Sequence, residues 1–139
     1  MFTLIYASRD DFGFDGADLA ELCAKSARKN EELSITGYLY YRHGQFFQYL
    51  EGEQDAVVAL MGQIRRDARH TIFSELQDET LQQRRFPDWS MRYIHPDGLM
   101  FEDAIAIQMK VLARSETSEA MSDRVWQTID KLSELRAHL

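Results

Sequence analysis

β-branched and aromatic residues fill the first positions of the chain, Phe2-Thr3-Leu4-Ile5-Tyr6-Ala7-Ser8. Such a run predicts a strand, and side chains alternate faces along it, so Tyr6 falls on the face of Phe2 and Leu4. Gln45 to Gly52 predicts another strand, in which Gln48 shares a face with Phe46 and Leu50. The second face of that strand, Phe47, Tyr49 and Glu51, is the more polar, which puts Gln48 on the core side. Between these strands, Leu19, Leu22, Cys23 and Ala27 recur at helical spacing. Asp15 precedes this helix as an N-cap, with Asp18 in the capping-box position. The helix is expected to end near Lys29-Asn30, where cations suit the dipole.

Ser34 to Tyr41 predicts a strand joined to the Gln48 strand by a short turn, Arg42-His43-Gly44. Glu53 to Ala68 carries a second helical stripe of Val57, Leu60, Met61, Ile64 and Ala68. Thr71 to Gln77 and Trp89 to Ile94 predict two more strands, separated by the charged stretch Asp78 to Arg85. The order is β-α-β-β-α-β-β, and its core is the ferredoxin-like α+β arrangement, one sheet with both helices on one face. Composition shifts after residue 95, dividing the chain into residues 1–95 and a helical extension at 96–139. In that extension, Phe101, Ala104, Ile105, Val111 and Leu112 predict one helix, and Val125, Ile129 and Leu132 a second. The second stripe, with Trp126, either packs on its own sheet or meets a partner.

The face shared by Tyr6 and Gln48 raises a chemical question. A buried amide or phenol without a partner costs about 1–3 kcal/mol. Either each finds a backbone group, or the two face each other and a polar ligand; the pattern leaves both open.

At 139 residues and 45% hydrophobic content, the chain suits one globular domain. No apolar run reaches membrane-spanning length and no signal peptide precedes the first strand, so the reading is a cytoplasmic protein with no membrane association. A net charge of −7 argues against nucleic acid as a partner. The single cysteine, Cys23, excludes an intrachain disulfide and a cysteine metal cluster, and the four histidines are scattered, so no metal site is expected. Cationic residues cluster at Arg28-Lys29 and at Arg65-Arg66 with Arg69, as a solvated helix end or a local anion site. No phosphate loop, HExxH motif or triad spacing is present.

Several short segments recur in one known arrangement: Tyr6, Ser26, Asn30, Thr36-Gly37-Tyr38-Leu39, Phe47-Gln48-Tyr49-Leu50-Glu51-Gly52, Asp67-Ala68-Arg69-His70 and Arg85-Phe86-Pro87-Asp88-Trp89-Ser90-Met91. In this order, over residues 1–95, they resemble the BLUF domain, the sensor of blue light using flavin, in its short stand-alone form. The resemblance implies a flavin held between the two helices, FAD with FMN as the alternative. It implies that Tyr6 is the light-dependent electron and proton donor, and that Gln48 bridges Tyr6 and the ring. Asn30 would bind the ring's carbonyl edge, and Asp67 and Arg69 its pyrimidine end. Leu22 and Ile64 would sandwich the ring, while Lys29, Arg28 and Arg65 would reach the ribityl phosphate. Ser26, Trp89 and Met91 would form the switchable surround, with Trp89, Met91 and Tyr93 sharing parity on the last strand.

The resemblance also implies a sensor and not an enzyme. With no output domain after residue 95, the signal would pass to a separate downstream protein or a second copy of the chain. The competing readings are a small ferredoxin-like enzyme handling acyl phosphates with Arg69 and Asn30, and a flavin module without photochemistry.

Overall fold

The structure, a computed structural model, describes residues 1–94 and 119–136. β1 (Phe2–Asp10) leads into α1 (Gly16–Glu32), then the hairpin of β2 (Thr36–Arg42) and β3 (Gln45–Gly52). α2 (Gln54–Arg66), β4 (His70–Asp78), β5 (Arg92–Ile94) and α3 (Glu119–Leu135) follow. The helix expected around Phe101 to Leu112 lies outside the described residues.

The five strands form one sheet in the order β4-β1-β3-β2-β5. The first four are antiparallel, the ferredoxin-like order, and β5 adds to β2 in parallel. Local chemistry explains the element ends. The Asp15 carboxylate accepts from the Asp18 N–H while the Asp18 side chain accepts from the Asp15 N–H, a reciprocal capping box that starts α1. At the β2–β3 turn, His43 and Gly44 both take positive φ, 51° and 73°. This is the pair of left-handed residues that a two-residue hairpin needs to match strand twist. Gly37 answers a different need: a Cβ there would lie 1.8 Å from the Tyr49 carbonyl oxygen.

α1 and α2 cover the sheet face that carries Phe2, Leu4, Tyr6, Phe46 and Leu50, packing Leu19, Val57, Leu60 and Met61 against it. The expectation of a more polar opposite face is corrected. Phe47, Tyr49 and Glu51 are all fully buried, in a second core with Ile5, Tyr38, Tyr40 and Phe86. Val125, Ile129 and Leu132 of α3 close that core, so the C-terminal stripe packs on its own sheet. The sheet is therefore covered on both sides.

The last strand is also corrected. Only Arg92–Ile94 pairs as β5, and the preceding residues form an irregular crossing at the sheet edge. Without strand geometry the expected parity fails. Trp89 packs in the α3-side core, stacked on Phe86 at 5.0 Å, while Met91 packs in the core beneath α1 and α2.

Candidate functional site

A cleft of about 590 Å³, counting the space at its mouth, opens between α1, α2 and the sheet. Its walls follow from helical spacing. Leu22, Ser26, Lys29 and Asn30 recur along one side of α1, and Leu60 and Ile64 along α2, all lining the space. Leu39, Phe46, Tyr6 and Gln48 form the floor, and Phe14, Asp67, Arg69 and His70 complete the lining.

The floor holds a short chain of polar contacts. Tyr6 and Gln48 are direct partners in the β1–β3 ladder, which brings their side chains together on one face. Tyr6 Oη donates to Gln48 Oε1 at 2.5 Å, and Gln48 Nε2 lies 3.3 Å from Met91 Sδ, to which it donates. A thioether is a weak acceptor, and an amide nitrogen carries two protons. Gln48 therefore keeps donor capacity for an occupant of the cleft. Burial first, and the negative charge of Asp67 second, push the Tyr6 phenol well above its ordinary pKa. It stays protonated at any physiological pH.

Asn30 provides the test of what the cleft wants. Its side chain is 1% exposed, and its Nδ2 has no hydrogen-bond partner. A buried amide donor left open costs about 1–3 kcal/mol, which an acceptor on a ligand edge would offset. Asn30, the spare Gln48 proton and the apolar walls together suit a flat heteroaromatic ring with carbonyl groups on one edge.

At one end, Arg69 grips Asp67 through Nε at 3.0 Å and Nη2 at 2.7 Å, and its guanidinium lies over the Phe14 ring at 5.1 Å. These bonds from Arg69 hold the Asp67 carboxyl down at about 2, against the opposing effect of burial. Across the mouth, Lys29 Nζ donates to Gln63 Oε1, tying α1 to α2. His70 stands against the Tyr6 ring with centroids 6.1 Å apart. Its Nε2 faces the Ile64 carbonyl at 2.7 Å and so carries the proton, which leaves Nδ1 to accept from Ser8 Oγ at 2.7 Å. Ser8 is fully buried and does not line the cleft, so this pair orients the imidazole and offers no nucleophile.

The cleft thus brings together Tyr6, Leu22, Ser26, Lys29, Asn30, Gln48, Ile64, Asp67 and Arg69, with Met91 touching it through Gln48. Arg65 stands outside the lining, paired with Glu75 at 2.5 Å, and Arg28 is an exposed residue outside it. Trp89 lies on the opposite side of the sheet. Sequence reasoning gave no site role to Phe14, Leu39, Phe46, Leu60 or His70, although Leu39 and His70 stand in the segments that carry the resemblance. Leu60 and Phe46 were signalled by their stripes. His70 depends on a strand register that the sequence does not display.

No group of three or more metal-ligating side chains occurs among the described residues, and none of the described helices is long and apolar enough to cross a membrane.

A family model described as sensors of blue light using FAD matches residues 1–92. A photoactivated adenylate cyclase subunit beta from Euglena longa is 35% identical over 117 residues, 84% of this chain and 14% of that protein. The chain thus spans about one seventh of the length of such curated relatives. Among solved structures, the dark state of BlrB superposes with a TM-score of 0.72 at 30% identity, covering 94% of this chain and 96% of that one. The photo-activated state of BlsA superposes with a TM-score of 0.74 at 25% identity, covering 95% and 94%.

Proposed function

The chain belongs to the BLUF family of blue-light sensors that use FAD, and from that premise we propose that the cleft holds the flavin ring and that Tyr6 and Gln48 read its excitation. The observation that carries this reading is the Tyr6–Gln48–Met91 chain along the cleft floor, beside the unpartnered Asn30 amide.

A bound flavin supplies light absorption and, once excited, an electron acceptor. Leu22 and Ile64 would hold the ring between α1 and α2, and the Asn30 amide would donate to it. Asp67 and Arg69 would close one end of the site, and Ser26 and Lys29 would line the rest of it. The ring is common to FAD and FMN; FAD is the cofactor proposed, on the family's description.

With the flavin bound and excited, Tyr6 would be its electron donor, and the Oη proton would pass to Gln48 Oε1, the atom it already faces. An amide accepts at one end and donates at the other, so rotation or tautomerisation of Gln48 reverses the pattern it presents to its neighbours. Once electron and proton were back on Tyr6, Gln48 would be left rearranged, either rotated or with one proton moved from Nε2 to Oε1. It directs a new donor toward the cleft and loses its bond to Met91. The first change shifts absorption slightly to the red; the second reaches the segment holding Met91 and Trp89.

We take residues 1–95 as the sensor unit and the remainder as the route to a downstream protein partner. The protein acts by switching contacts and not by turnover. The acyl-phosphate alternative needs a free Arg69 to meet the phosphate, and Arg69 is committed to Asp67.

The deciding experiment is the absorption spectrum of the purified protein before and after blue light. A yellow protein with a small, thermally reversible red shift supports the photoreceptor. A colourless protein that takes up no added flavin overturns it.

A further inference from the structure

We propose that Arg85 and Asp130 form the clasp through which a change at Gln48 reaches α3, an inference that rests on the photoreceptor reading above. The argument begins at Glu51, a carboxylate with no exposure. It accepts from Thr36 Oγ1 at 2.7 Å, Tyr49 Oη at 2.8 Å, and the backbone N–H groups of Arg85 and Phe86, both at 2.9 Å. Four donors satisfy the buried charge and fix the start of the segment that runs on to Trp89 and Met91.

The Arg85 side chain then turns away from the cleft. Its Nη1 donates to Tyr49 Oη at 3.0 Å and its Nε to Asp130 Oδ1 at 2.5 Å. Its guanidinium lies 5.8 Å from the Tyr49 ring centroid and 5.6 Å from that of Trp126. The other contacts of α3 with this core, through Val125, Ile129 and Leu132, are apolar and non-directional. Arg85 is thus a directional link, among the described residues, between α3 and a segment whose far end touches Gln48. Its own side chain is 10% exposed and that of Asp130 54%. This is an asymmetric joint, anchored on the sheet side and releasable on the helix side. Guanidinium geometry matters here, because an ammonium cannot serve two acceptors and two ring faces at once.

In the lit state the segment shifts, the clasp loosens, and α3 opens more often. Arg85 is a positioning residue; it touches no cofactor.

The test is amide hydrogen exchange over residues 125–132 of the flavin-loaded full chain, in darkness and under blue light, with the red shift recorded in the same sample. In the native chain light should accelerate exchange. In Asp130→Asn, dark exchange should rise by about two- to fivefold, the factor of a half-exposed ion pair. Light should then add little, while the red shift is unchanged; Asp130→Glu should restore the response to light. Arg85→Lys should behave as Asp130→Asn does. A normal red shift with no exchange response in the native chain overturns the clasp and leaves the photoreceptor standing. So does a response in Asp130→Asn and Arg85→Lys equal to that of the native chain. Absence of any red shift overturns both readings.

Discussion

Trp89 and Met91 stand two residues apart in the chain and on opposite sides of the sheet. Met91 Sδ accepts from the Gln48 amide at 3.3 Å, while Trp89 stacks on Phe86 in the core closed by α3. The backbone between them is held to the sheet, since Gly37 N–H donates to the Trp89 carbonyl at 2.8 Å. A displacement of Met91 should therefore pull on the sheet edge rather than be absorbed in a loop.

Replacing Tyr6 by Phe should leave flavin bound and abolish the light-induced red shift, because the cleft keeps its shape and loses the donor. Gln48→Leu should do the same. Each single change leaves one buried partner open and should cost about 1–3 kcal/mol of stability, while the double variant should cost less than the sum. Difference spectra and denaturant titrations check both parts. A normal red shift in Tyr6→Phe would remove its donor role.

Met91→Leu keeps volume and removes the sulfur acceptor, so the fold should lose less than about 1.5 kcal/mol. The dark arrangement of Gln48 loses a weak bond, and thermal recovery from the lit state should slow by about two- to threefold, the low end of a neutral hydrogen bond. Time-resolved absorption after a blue pulse measures it. Recovery at the native rate would show that the Met91 contact does not hold the dark state.

Gly37→Ala should destabilise by at least about 2 kcal/mol, the cost of forcing a group into filled space. The new methyl would meet the backbone carbonyl of Tyr49, which cannot move without parting β2 from β3. Thermal unfolding of the purified variant tests this, and an unchanged midpoint would refute it.

The Asp67 carboxyl has a lowered folded-state pKa, about 2 against the usual 3.8. Its contribution to stability is thus fully present above 3.8 and is lost as pH falls toward 2. Asp67→Asn should remove that part of the acid sensitivity and flatten the stability–pH curve between those limits. Denaturant midpoints at a series of acidic pH values decide it. A curve as steep as the native one would place the acid sensitivity on other carboxylates.

Much of this was legible in the sequence, for identifiable reasons. The strands bearing Tyr6 and Gln48 are long and rich in β-formers, so parity put both side chains on the face covered by α1 and α2. The capping box at Asp15 and the stripes of α1 and α2 rest on local spacing, which survives folding unchanged. The second buried face was not legible. Phe47 and Tyr49 read as amphipathic, Glu51 as polar, and the helix that covers them lies some seventy residues away. The Trp89–Met91 segment misled because parity has meaning only where a strand exists. Arg84 and Arg85 sat in a charged run that read as a connection. In the fold, Arg84 donates to the Ser34 carbonyl at 2.6 Å and Arg85 is nearly enclosed.

Adjacent residues of β1 and β3 look into different chambers, so two kinds of packing demand fall on interleaved positions. Tyr6, Phe46 and Gln48 face the cleft; Ile5, Ala7, Phe47 and Tyr49 face the core closed by α3. On β2 the assignment runs the other way in numbering, with Leu39 toward the cleft and Tyr38 and Tyr40 toward the helix. Lineages that keep the light response but acquire new listeners can therefore diverge at every second residue of the same strands. Drift in such a sensor would appear as a comb, fixed and variable teeth alternating along the chain.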